Sequence, residues 1–189
     1  MILEEQEKED LLRLAREVIV DALAPRAKTS PRFTPPPALE RKCGAFVSLY
    51  VNDKLRGCIG TFSEEVSMYE NVKQMAISAA TNDSRFDPIF PEELDHLSIE
   101  ISILTPRSRI HDISDIEIGT HGIFMIQGMN RGTLLPQVAV SQNWDVYQLL
   151  GNCSEHKAGL GWEGWKTAEL YTYEAIVFRS PPPLNVKKI

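Results

Sequence analysis

Residues 44–62 read GAFVSLYVNDKLRGCIGTF. Two apolar runs flank Asn52-Asp53, a pair that tolerates the positive φ of a two-residue hairpin turn. The stretch predicts two antiparallel strands, Phe46 to Val51 and Leu55 to Ile59, and places a sheet at the centre of the fold. Its second half, LRGCIGTF, keeps the tempo of a strand yet carries an arginine, two glycines and a cysteine. Glycine weakens a strand unless something must approach the backbone closely or the chain must bend. In regular alternation Arg56 and Cys58 share one face while Leu55, Gly57 and Ile59 line the other. Cys58 is then either a packed core thiol or an accessible, reactive one beside a cation. On the reactive reading, Gly57 and Gly60 clear space for a ligand. Across the hairpin Cys58 faces the region of Val47 to Leu49, well away from Cys43, which opposes a disulfide between them.

Working outward, Leu11, Leu14, Val18 and Ala22 recur at helical spacing, with Ala15 and Ile19 widening the stripe, and Pro25 stops the helix. Residues 25–39 form a proline-rich connecting arm without apolar period, which Phe33 and Leu39 are expected to pin down. Ser63 with Glu64 and Glu65 marks a helix start, followed by Val66, Tyr69, Val72, Met75, Ala76 and Ala79 on one face. LSIEISIL alternates: Leu97, Ile99, Ile101 and Ile103 point one way, Ser98, Glu100 and Ser102 the other. GIFMIQ-GMNRG-TLLP predicts a second hairpin, NWDVYQLLG a short helix closed by Gly151, CSEHKAGLG a helical turn, and ELYTYEAIVF one terminal strand. Strands and helices mix without regular βαβ alternation. The expected class is α+β, with a largely antiparallel sheet and flanking helices, in a single domain over 1–189.

Composition limits the setting. Of 189 residues, 43% are hydrophobic and the formal net charge is −6, which fits an ordinary globular protein and argues against a broad phosphate-binding face. Three widely spaced cysteines do not make a disulfide framework, so all three are expected as free thiols. The acidic start MILEEQEKED has no signal-peptide pattern, and no apolar run reaches membrane-spanning length. A cytoplasmic protein with no membrane partner is the expectation.

Several blocks together carry a resemblance. LRGCIGTF, the AA…D-x-RF-x-P block at 79–88, LSIEISIL-TP, HGI, RGTLLPQVAV, NWD and C-x-x-x-KAGL stand in the order found in the AMMECR domain family. That family is named from the Alport, midface hypoplasia and elliptocytosis chromosomal region, and the resemblance runs from about residue 8 to 180. It implies a larger lobe, a smaller lobe and a cleft between them beside the hallmark strand. It also implies the company of Memo-like and radical S-adenosylmethionine proteins, and through them modification of a nucleobase or another small aromatic group. Ser141 departs from the pattern, standing where an acidic residue is expected in many relatives.

Other candidates have two readings each. His121 in GTHGIF is an acid or base at a cleft, or a loop histidine bonding backbone. Arg85, with Asp83, binds an anionic ligand or ties its loop to itself. Glu100 is an exposed sheet residue or a carboxylate needing a partner such as Arg56 or Arg131. Arg131 is a ligand contact or a hairpin-turn residue, and Gln137 presents its amide to a ligand or caps a helix. Cys153 and His156 lie one helical turn apart, but no second pair completes a zinc site, so no metal is expected. The cofactor is unknown. The candidate catalytic group is Cys58, Arg56, His121 and Glu100, and the candidate ligand contacts are Gly57, Gly60, Arg85, Arg131 and Gln137. An enzyme or enzyme subunit is the leading reading; a non-catalytic ligand-binding or protein-interaction module is the alternative.

Overall fold

A computed structural model describes residues 2–23 and 35–180. The chain divides into two units, Met1–Ile103 with Ile176–Ile189, and Leu104–Ala175. Each has a four-stranded sheet and its own apolar core, the α+β architecture expected from the strand and helix patterns.

The first unit opens with α1 (Glu5–Leu23) and a 3₁₀ turn, Pro37–Glu40. Strands β1 (Ala45–Val51) and β2 (Lys54–Thr61) make the anticipated hairpin. Asn52 and Asp53 take φ of 49° and 60°, the left-handed values that such a turn requires. Then come α2 (Met68–Thr81), a 3₁₀ segment Pro91–His96, and β3 (Leu97–Leu104). With β8 (Ala175–Arg179) the sheet order is β2-β1-β3-β8, so β2 is an edge strand. Leu97, Ile99, Ile101 and Ile103 line the apolar face with Ala45, Val47 and Leu49, and all seven are fully buried. Leu11, Leu14, Ala15 and Ile19 of α1 and Val72, Ala76 and Ala79 of α2 belong to the same core. Removing a side chain such as Leu11 from water contributes about 1.5–3 kcal/mol. Leu39 is fully buried and anchors the end of the proline-rich arm; Phe33 and residues 25–34 lie outside the described residues.

The second unit contains β4 (Ser108–Ile110), β5 (Gly122–Gln127), β6 (Asn130–Leu134) and β7 (Glu169–Tyr173), in the order β4-β7-β5-β6. Helices α3 (Pro136–Ser141) and α4 (Val146–Asn152) follow the β5–β6 hairpin. Ile123, Met125, Leu149, Leu150, Cys153 and Trp165 are among its buried core residues.

Four expectations require correction. Helix α2 begins at Ser67, not Ser63, because the Ser67 hydroxyl accepts the Glu70 N–H as N-cap; Ser63 Oγ instead accepts from Glu65 within the preceding turn. Gly151 does not end α4. The helix runs on through a π-helical turn, Cys153–Ala158, and closes at Gly159 with φ of 68°. ELYTYEAIVF is two strands in two sheets, parted at Glu174, whose N–H bonds Thr105 Oγ1 and whose carbonyl accepts from Thr105 N. Finally, β2 is not in simple alternation. Tyr50 pairs with Leu55 but Leu49 with Gly57, which leaves Arg56 as the extra residue of a bulge.

Candidate functional site

The bulge decides what surrounds Cys58. Arg56 is turned into a two-pronged ion pair with Glu93, Nε to Oε1 at 2.9 Å and Nη2 to Oε2 at 3.0 Å. Its remaining donors reach the Asp87 and Pro88 carbonyls. The Arg56 guanidinium holds the Glu93 carboxyl below its usual range. Arg56 thus ties β2 to the 87–93 segment, and the expected Arg56–Cys58 partnership gives way to a different cation.

That cation is Arg85. Its Nη2 donates to the Cys58 carbonyl at 2.8 Å, and Asp83 Oδ2 accepts the Cys58 N–H at 2.8 Å. Asp83 also receives Arg85 Nε at 2.9 Å and Nη2 at 2.7 Å. Arg85, desolvation and the Cys58 N–H act on this buried carboxylate, Arg85 most strongly, and the net result holds it far below the ordinary aspartate range. The two side chains bond both main-chain groups of an edge-strand residue, as a neighbouring strand would. The reading of Asp83 and Arg85 as a loop tie holds, and the tie extends to β2.

Because its main-chain groups point away from β1, Cys58 forms a non-hydrogen-bonded pair with Ser48, where α-carbons come within about 4.5 Å. The side chains meet accordingly: Ser48 Oγ donates to Cys58 Sγ at 3.2 Å. On its other side Ser48 is in register with Glu100 of β3. Cys58, Ser48 and Glu100 therefore form one row across β2, β1 and β3, on the face opposite the apolar core. Tyr50, two residues along, places its hydroxyl 3.5 Å from Glu100 Oε1. Burial and then the Glu100 carboxylate push the Tyr50 phenol up. Arg179 of β8 lies over the Tyr50 ring at 4.2 Å and bonds Asp53 at 2.8 Å. Cys58 is half-buried, whereas Cys43 and Cys153 are buried and burial pushes their thiols up to about 11 and about 12. All three are free, as expected.

The two glycines each allow a close packing contact. A Cβ on Gly57 would overlap the Ala79 carbonyl oxygen, so glycine lets α2 lie against β2. A Cβ on Gly60 would overlap the Phe46 ring, which stacks edge-on with Phe62 at 5.5 Å. The remaining candidates belong to the second unit. His121 precedes β5, and its Nδ1 accepts the Glu117 N–H at 3.1 Å, the backbone-bonding arrangement. Arg131 is exposed and stands in β6 opposite Ile126, two residues past the Gly128-Met129 turn, so it is a strand residue and not the expected turn residue. Gln137 is exposed on the first turn of α3. The structure thus brings Cys58, Arg85 and Glu100 to one part of the first unit, adding Asp83 in a clamping role and Ser48, Tyr50 and Arg179 that sequence reading passed over. The hairpin register, which faces Cys58 with residues 47–49, was the signal for Ser48.

No group of three or more His, Cys, Asp or Glu that could hold a metal occurs among the described residues. Nor is any described helix long and apolar enough to cross a membrane.

Comparison with known proteins gives one consistent result. The chain is 40% identical to protein MK0488 of Methanopyrus kandleri over 94% of its length and 90% of that protein. It is 37% identical to protein MJ0810 of Methanocaldococcus jannaschii, over 91% of this chain and 89% of the other. The crystal structure of the uncharacterized protein PH0010 from Pyrococcus horikoshii superposes with a TM-score of 0.86 at 34% identity, covering 96% of this chain and 95% of that one. The AMMECR1 family pattern matches residues 12–178, and with these relatives over nearly the whole chain the protein is a member of the AMMECR1 family.

Proposed function

We propose that the protein is an enzyme or enzyme subunit whose reacting group is Cys58. The observation that carries this is the cross-strand row of a half-buried thiol, a hydroxyl bonded to its sulfur, and a carboxylate. A nucleophile, a donor that supports charge building on it, and a nearby base are the parts that covalent catalysis uses. In the step they suit, the thiol sulfur adds to an electrophilic carbon. The S–C bond forms as a π or leaving-group bond at that carbon breaks, and the thiol proton is carried by solvent to Glu100, which stands two strands away in the same row. The proton is returned to the atom that took the electrons, and later elimination or hydrolysis frees the sulfur. Asp83 and Arg85 fix the main chain on which the thiol sits. Tyr50 and Arg179 border the same polar face.

The resemblance that names the family supplies the finer part of the proposal. The substrate carbon belongs to a nucleobase or another small aromatic group, and the protein works in the cytoplasm with Memo-like and radical S-adenosylmethionine partners. The experiment is an untargeted metabolite and nucleoside comparison of a deletion strain carrying the wild-type gene or a Cys58→Ser copy. The wild-type gene is expected to restore the parental profile and the variant to leave the deletion profile in place. Full restoration by Cys58→Ser refutes the nucleophile and leaves a binding or interaction module. A variant that folds and restores only when overproduced points to a binding role for the same face.

A further inference from the structure

Arg85 is held more firmly than its exposure suggests. Asp83, whose side chain is 4% exposed, takes the Nε and Nη2 edge of the guanidinium at 2.9 and 2.7 Å. Nη2 also donates to the Cys58 carbonyl at 2.8 Å, and the Phe86 ring lies 5.4 Å from Cζ. A planar group bonded through two of its nitrogens has little freedom to turn, so the third, Nη1, points in a fixed direction. The N–H groups of Nη1 have no partner among the described residues, and the Arg85 side chain is 58% exposed. The guanidinium is also within range of the thiol: Asp83 most strongly, against desolvation by burial, and then charge on the Cys58 sulfur raise Arg85 above its usual range. Nη1 is therefore an unused, preoriented donor beside the half-buried sulfur.

We infer that Arg85 is a further catalytic residue: Cys58 attacks a carbonyl carbon, and Arg85 Nη1 donates to the carbonyl oxygen. This rests on Cys58 as the reacting group and narrows the electrophilic carbon to one bearing a doubly bonded oxygen. As the S–C bond forms, the π pair of the C=O bond moves onto oxygen, where Nη1 meets the charge. The pair returns to re-form the C=O bond as the leaving group departs with its own bonding electrons and takes up the thiol proton. Donors fixed in place before charge develops stabilise it without reorganisation, which is how an oxyanion hole works. The pairing with Asp83 decides against a bound anion. A guanidinium already balanced by a carboxylate offers a hydrogen bond with little net charge, which suits a neutral carbonyl that gains charge only during the reaction.

The test compares two reagents on the full chain. With p-nitrophenyl acetate the sulfur attacks a carbonyl carbon, takes the acetyl group and releases p-nitrophenolate. With iodoacetamide it attacks a methylene carbon that bears no oxygen and releases iodide. Peptide mass mapping reads both products at Cys58, and N-acetylcysteine is the reference thiol. The ratio of acylation to alkylation at Cys58 should exceed that of N-acetylcysteine by at least about tenfold. Arg85→Lys, which keeps a cation for Asp83 but loses Nη1, should return the ratio to the reference value. A purely positioning role for Arg85 would slow both reactions together and leave the ratio unmoved. Asp83→Asn with Arg85→Met removes both charges of the pair and repeats the comparison without leaving a buried carboxylate alone. A wild-type ratio equal to the reference, or a high ratio kept by folded variants, overturns the inference while continued alkylation leaves the nucleophile standing. A Cys58 inert to both reagents overturns the nucleophile and this inference together.

Discussion

The two faces of the first sheet differ more than the strands that make them. One face carries Ala45, Val47, Leu49, Leu97, Ile99, Ile101 and Ile103, all without solvent contact. The other carries Ser48, Tyr50, Cys58, Ser98, Glu100 and Ser102, of which Ser98 and Ser102 are each only 4% exposed. Alternation along a strand normally separates buried from wet residues. Here it separates two kinds of burial: one face excludes water because it is apolar, while the other is polar, with Ser48 bonded to Cys58 and Tyr50 to Glu100. The first face can be disturbed only at a large cost in stability, whereas substitutions at partly exposed residues of the second should cost little.

Substitutions on the two faces test that contrast. Ile101→Ala, at the centre of the apolar face, should destabilise by about 3–4 kcal/mol in equilibrium urea unfolding. A loss below about 1 kcal/mol would mean that the core tolerates a cavity and that the faces are energetically alike. Gly57→Ala comes next, at about 2–3 kcal/mol, because the added methyl meets the fixed backbone carbonyl of Ala79. Asp83→Asn should cost about 1–3 kcal/mol at neutral pH by removing charged hydrogen bonds to Arg85 and the Cys58 amide. Its pH signature follows from the depressed carboxyl of the native state. The stability that Asp83 contributes is fully present above its unfolded value near pH 4 and is lost as pH falls below it. Acid unfolding of Asp83→Asn should lack that share of the slope. An unchanged acid limb would show that the clamp contributes nothing.

The smallest effect on stability belongs to the polar row. Ser48→Ala should cost no more than about 1 kcal/mol. In the native wild-type protein iodoacetamide should modify Cys58 well ahead of Cys43 and Cys153, which are buried with thiols raised to about 11 and about 12. Ser48→Ala should alter the Cys58 rate while leaving the other two untouched. Mass spectrometry of the intact and digested protein reads all three, and equal modification would place Cys58 among the sealed core thiols.

Sequence reading succeeded where one period governed a segment. LSIEISIL delivered β3 and its two faces, and Asn52-Asp53 delivered the hairpin turn. It failed where one residue breaks a period. A bulge adds a residue without altering composition, so Arg56 looked like a companion of Cys58 when the register turns it to Glu93. Glu174 sits inside a continuous apolar run, and no local signal shows that the residues before and after it join different sheets. Ser63 and Ser67 are both competent caps, and the choice falls to tertiary bonds such as Asn71 Nδ2 to the Cys43 carbonyl at 2.8 Å. For the site, Cys58 and Glu100 were visible as strand residues. The row that joins them through Ser48 depends on two registers at once, and the bond from Asp83 to Cys58 spans 25 positions in sequence.

The Asp83–Arg85 clamp has a consequence for behaviour at high concentration. An edge strand with bare amides and carbonyls is a template on which another chain can add a strand, the common first step of aggregation. At Cys58 those groups are already taken by a carboxylate and a guanidinium of the same molecule. An incoming strand would have to break a charged pair before it could bond at Cys58. The residues that seat the thiol thus also guard that position of the β2 edge, so a chain that loses them risks self-association there as well as a misplaced sulfur.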